Sequence, residues 1–176
     1  MSEQTSTEEA GHETVSHDVS TEDKTVTRIV FIAVDHSPHS QYAFSWALEN
    51  FVRPESDLVI LANVRQNVML PGPYGIGTIQ FSQFVTNLEE HQRLESHRLL
   101  KTLAEKLREK NIMCKAIAMR GDPREEIVRK IKELKVDVLV MGCRQLGALK
   151  RTFLGSVSDF CAHHSHVPVL IVKEPQ

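Results

Sequence analysis

Two polar clusters at the ends of apolar runs carry whatever chemistry this chain performs. In the first, Asp35, His36 and Ser37 follow the run Arg28 to Val34 (RIVFIAV). In the second, Met141-Gly142-Cys143-Arg144-Gln145 ends a run that starts at Val136, and Gly155-Ser156-Val157-Ser158 opens a helical segment ten residues beyond Gln145. Glycine after a strand lets backbone amides come close to a ligand. A Gly-Ser pair at a helix start presents free N–H groups and the positive end of the dipole. Together they describe a phosphate cradle. Asp35 adds a carboxylate, a hydrogen-bond acceptor at the end of the first run.

Other reactive groups point to no second chemistry. His163, His164 and His166 have no Cys or carboxylate at metal spacing beside them, and adjacent histidines leave a helix in different directions. They read as helix-end residues that interact with the dipole, and no metal site is expected. Cys143 reads as a small filler residue, with oxidant sensing as its alternative. Lys150 and Arg151 read as solvated charges. No GxSxG elbow, HExxH pair or GxxxxGK[ST] loop occurs, and Gly75-Ile76-Gly77 lacks the lysine of a phosphate loop. The chain is not expected to be an enzyme.

The elements that must position these clusters alternate. Arg28–Val34 is a β-rich run of the kind a parallel strand buried on both faces needs. Ser40 to Val52 has Tyr42, Ala43, Trp46, Ala47 and Phe51 at helical spacing. Asp57–Val64 is a second strand, and the glycines and prolines of 65–81 rule out regular structure before a long amphipathic helix over 82–110. Met113–Met119 is a third strand; Asp122 caps the next helix with Pro123 at its first position. Val136–Met141, a helix from Ser156 to His164, and Val167–Val172 complete the pattern. Five strands with intervening helices predict an α/β fold: an open, doubly wound, five-stranded parallel sheet of order 3-2-1-4-5, with helices on both faces. In that order the strand sequence reverses between strands 1 and 4, where ligands of such sheets bind. Both polar clusters fall there.

Composition frames the fold. Residues 1–25 hold seven acids against one base, are rich in Ser and Thr and have no aromatic, so they read as a disordered acidic tail preceding a domain over 26–176. The remainder is only mildly basic, which argues against nucleic acid as a partner. No apolar run approaches the roughly 20 residues of a membrane span. Three cysteines with no CxxC pair, and an N-terminus unlike a signal peptide, give a reducing cytoplasmic setting as the expectation.

The segment from Val34-Asp35-His36-Ser37 to Trp46-Ala47-Leu48 resembles the opening of a universal stress protein. Gly121-Asp122-Pro123, the stretch Gly142 to Ser156 and the ending His166-Val167-Pro168-Val169-Leu170-Ile171-Val172 resemble that family too, over about residues 27–173. The resemblance implies a dimeric α/β domain, and its ATP-binding branch carries G-x2-G-x9-G-(S/T). The chain matches at Gly142, Gly155 and Ser156 and departs at the second glycine, where Gln145 stands. A left-handed residue there costs roughly 1 kcal/mol or more, unless the loop takes another path.

Carried over by position, the resemblance implies that Ala33, Val34 and Asp35 line the adenine and ribose side, with Val64 touching the base. Met141 and Gly142 would support base and ribose, while Gly155, Ser156, Val157 and Ser158 serve the phosphates and Arg144 adds a charged contact. The implied ligand is ATP or AMP, with or without magnesium. Loop 65–81 leaves the second strand on the crevice side and reads either as a lid over a ligand or as an unordered insertion. The apolar C-terminal strand 167–172 would be an edge that pairs in a homodimer. The alternative is a dimeric interaction or chaperone-like stress protein that binds no nucleotide. Gln145 separates the two.

Overall fold

The computed structural model describes residues 8–9, 12–15, 25–67, 78–143 and 154–175. Its elements in chain order are β1 (Glu8–Glu9), β2 (His12–Val15), β3 (Arg28–Ala33), α1 (Pro38–Asn50), β4 (Asp57–Arg65), α2 (Thr78–Glu109), β5 (Met113–Arg120), α3 (Pro123–Glu133), β6 (Val138–Gly142), α4 (Ser156–His164) and β7 (Val169–Val172). The strands form one sheet of order β1-β2-β5-β4-β3-β6-β7. From β5 to β7 all neighbours are parallel. That run of five strands is the order 3-2-1-4-5 which the sequence predicts.

Apolar runs without alternation are explained by the two-sided burial of the sheet. Along β3, Val30 and Ile32 enter one core with Phe44 of α1 and Leu100, Leu103 and Leu107 of α2. Phe31, between them, enters the opposite core with Ile127 and Ile131 of α3 and Cys161 of α4. The middle of such a strand is therefore a continuous apolar run. Asp57 begins β4 fully buried and is satisfied there: it accepts from Arg28 Nη2 at 2.6 Å, Arg28 Nε at 3.0 Å and the Arg53 N–H at 2.7 Å. Arg28 also lies over the Phe51 ring, 4.6 Å from its centre.

Several boundaries differ from the sequence reading, each for a local reason. β6 starts at Val138 rather than Val136 because the Val136 N–H closes the end of α3 on the Ile131 carbonyl at 3.0 Å. β7 starts at Val169 rather than Val167, since Val167 N–H turns to Ser165 Oγ and Pro168 has no N–H to give. α2 begins at Thr78, inside the stretch read as loop 65–81, and β4 runs on to Arg65. What remains of the suggested lid lies mostly outside the described residues.

Of the segment 1–25, read as an acidic tail, residues 8–9, 12–15 and 25 are described; there β2 pairs antiparallel with β5 and β1 pairs antiparallel with β2, so these residues extend the sheet. No helix among the described residues is long and apolar enough to cross a membrane.

Candidate functional site

The carboxyl end of β3 is held by a chain of hydrogen bonds. Val34 N–H reaches the Ala62 carbonyl of β4 at 2.8 Å, and Asn63 Nδ2 donates to the Val34 carbonyl at 2.7 Å. Asp35 N–H then donates to Ser40 Oγ at 2.8 Å. Asp35 Oδ1 accepts from both the N–H of Ser37 at 2.9 Å and its hydroxyl at 2.5 Å. Ser37 is the N-cap of α1: its oxygen accepts from Ser40 N–H at 3.2 Å, with Pro38 at the first helical position. Asp35 braces the capping residue. A carboxylate is thereby fixed at the mouth of the strand.

Next to it, β6 ends in Met141 and Gly142, with Cys143 just beyond. A Cβ on Gly142 would lie 2.5 Å from the His39 carbonyl oxygen and 2.8 Å from its carbon. The first turn of α1 rests directly on this strand, and only glycine leaves room. Cys143 is buried, as suits a filler residue. Across the cleft α4 opens on Gly155, with no side chain capping it. Its first-turn amides have no partner inside the helix, and the positive end of the dipole is turned to the same space.

These pieces enclose a cleft of about 580 Å³. Ala33, Val34, Asp35, Val64, Met141, Gly142, Gly155, Ser156 and Val157 all line it. Ser158 does not: it is buried, and its hydroxyl donates to the Gly155 carbonyl at 3.0 Å, tightening the helix start from behind. Arg144 and Gln145 lie outside the described residues, as do Gly147, Lys150 and Arg151.

A further wall of the cleft is absent from the sequence reading. His91, Gln92 and Glu95 of α2 face Arg65 and Gln66 at the end of β4, while Pro123 and Ile127 of α3 close the other side. The only hint in the sequence is the polar break in α2 before Leu99, which is indistinguishable from a solvated face. The rim mixes signs. Arg65 stands against Asp35 and Glu95 beside the imidazoles of His36, His39 and His91, and Glu95 accepts from Arg98 at 2.7 Å.

Ionisable groups around the cleft are shifted by plain causes. Next to Pro123, Asp122 is held down at about 2 by the side-chain and backbone hydrogen bonds of Arg124. Burial pushes the Cys161 thiol up to about 11 and raises that of Cys114, so neither is a ready nucleophile. His163 and His164 turn their Nδ1 atoms to the carbonyls of Asp159 and Phe160, at 2.8 and 2.9 Å. Among the described residues no group of three or more His, Cys, Asp or Glu is placed to hold a metal.

A doubly wound α/β domain, with its cleft at the carboxyl ends of β3 and β6 where strand order reverses, defines the class: an open-sheet α/β domain with its crevice at the switch point. The model of the universal stress protein family matches residues 27–173, and the chain belongs to that family. It is 32% identical over 155 residues to the universal stress protein A-like protein of Arabidopsis thaliana, covering 82% of this chain and 89% of that one. It is 31% identical over 163 residues to universal stress protein PHOS34 of the same plant, covering 84% of this chain but 62% of that longer one. Among solved structures, a universal stress protein family protein from Arabidopsis thaliana with AMP bound is similar, with a TM-score of 0.63 and 25% identity. The match covers 84% of this chain and 92% of the other.

Proposed function

We propose that this protein is a stress-response module that binds an adenine nucleotide in the cleft between β3 and β6. The observation that carries this reading is the pairing of opposites across one cleft. A braced carboxylate, Asp35, faces the uncapped N-terminus of α4 at Gly155. The first suits ribose or adenine donors, and the second suits phosphate. Val64 and Met141 supply apolar surface for the base between them. The similar plant protein with AMP bound supports the same ligand class. ATP, with magnesium carried on its phosphates, is the larger candidate.

Isothermal titration with AMP and with ATP plus magnesium tests the reading. Binding to the native chain is expected, with Asp35→Ala weakening it tenfold to a hundredfold, the effect of losing about 1.5–3 kcal/mol of charged hydrogen bonding. No binding by a folded native chain would remove the nucleotide and leave the alternative, a dimeric interaction module. Unchanged binding in Asp35→Ala would move the site elsewhere.

The same proposal includes a homodimer paired through the β7 edge, and a cytoplasmic setting that suits three buried free thiols. Truncation before Val167 is expected to halve the sedimenting mass, with circular dichroism confirming the fold.

A further inference from the structure

The parallel sheet of this protein has two natural edges, and the structure treats them differently. On one side β7 is the last strand of the sheet among the described residues. Leu139 and Cys143 N–H groups donate to the Pro168 and Val172 carbonyls, so the even-numbered residues of β7 face β6. Alternation turns the backbone groups of Val169 and Ile171 outward. All four residues of β7 are apolar and uncharged. On the other side β5 would likewise be the last strand, but residues 12–15 pair along it with Glu13 opposite Ala118, Thr14 opposite Ile117 and Val15 opposite Ala116.

The strand beyond that, β1, is two residues long and consists of Glu8 and Glu9. A very short outermost strand made of charged residues is the pattern that resists further pairing. The cover is also short, since β2 pairs with β5 from Glu13 to Val15.

We propose that residues 8–15 are a detachable cover for the β5 edge, and that they keep the β7 edge of a second copy from pairing there. The partner follows from direction. β5 and β7 run parallel within one sheet, so β7 of a second copy continues the sheet beside β5 without reversing it. That contact joins two different surfaces, and each added copy offers a fresh β7 edge. It does not close, and it grows an open chain. With β5 covered, β7 pairs only with its own equivalent, which stops at two copies. The acidic segment thus serves assembly control, and the proposal does not depend on nucleotide binding.

Sedimentation velocity of the full chain and of a chain lacking residues 1–24, over a range of concentrations, tests this. The full chain is expected to stop at a dimer, whereas the shortened chain gains mass steadily with concentration. Hydrogen exchange over residues 114–119 is expected to speed up in the shortened chain at low concentration. Ile171→Pro removes an outward N–H from β7 and should abolish the growth. Equal masses for the full and shortened chains would overturn the proposal, and growth that survives Ile171→Pro would overturn the choice of partner. Thr14→Pro in the full chain keeps every tail acid and covers the case in which truncation spoils folding. It should assemble as the truncation does. If it stays dimeric, charge rather than strand pairing protects the edge, and the cover is refuted.

Discussion

Gly142 shows how a residue can be fixed by packing and still serve a site. Its missing side chain admits the His39 carbonyl, so α1 begins flush against β6 and brings Asp35, Ser37 and Ser40 to the cleft mouth. An added methyl cannot be absorbed by a flexible side chain, because what it meets is backbone. Gly142→Ala is therefore expected to cost about 1–3 kcal/mol, the range for overpacking, and to lower the urea midpoint accordingly. Titration of the same variant should show weaker AMP binding, because α1 must move outward. A native midpoint would mean that α1 is not pinned there. The sequence shows the glycine at the end of a strand, but its contact was illegible, since His39 lies about a hundred positions away. The α2 wall was illegible for the same reason. His91, Gln92 and Glu95 look like any polar helix face until β4 and its Arg65 are set beside them.

At the scale of elements, helix ends explain most of what the sequence did and did not reveal. α3 starts with Asp122 accepting from Arg124 N–H at 2.9 Å and Pro123 at its first position, a start readable from residue types alone. Because the folded carboxyl sits near 2, below its ordinary 3.8, its support is complete above 3.8 and is lost as pH falls through about 2. Asp122→Ala should lower the urea midpoint at neutral pH and converge with the native chain in strong acid; a constant gap would assign the loss to something other than ionisation. The other end of α3 carries no such signal. Lys135 takes φ 50° and Val136 N–H closes on Ile131, the six-to-one bond of a glycine-type stop made by a lysine. α2 ends the same way, with Asn111 at φ 54°. Without glycine, the sequence lets strand β6 start two residues too early. Lys135→Gly should relieve the left-handed strain and stabilise the fold by about 0.5–1 kcal/mol in urea titration. A destabilised variant would show that Lys135 makes a compensating contact.

Across the whole molecule, the parallel order was legible because the middle of a strand buried on both faces is a continuous apolar run, as Val30, Phe31 and Ile32 are. The acidic segment was not, because composition reports the absence of a core and says nothing about a strand added to a ready edge. The same architecture makes ligand binding a property of the whole domain. The cleft touches β3, β4 and β6, along with the ends of α1, α3 and α4 and the flank of α2, and so draws on both cores at once. A nucleotide bound there favours the native state over the unfolded chain by about 2.7 kcal/mol at a hundred times its Kd. For a domain of this size that corresponds to a rise in Tm of roughly 5–10 °C. Scanning calorimetry with AMP should show a single transition shifted as a unit, because no element can leave without opening the cleft. Asp35→Ala should lose most of the shift at the same AMP concentration, while Lys135→Gly, far from the cleft lining, should keep it. A shift equal in native protein and Asp35→Ala, or a transition that splits in two, would show that the ligand acts outside this cleft or that the two cores unfold independently.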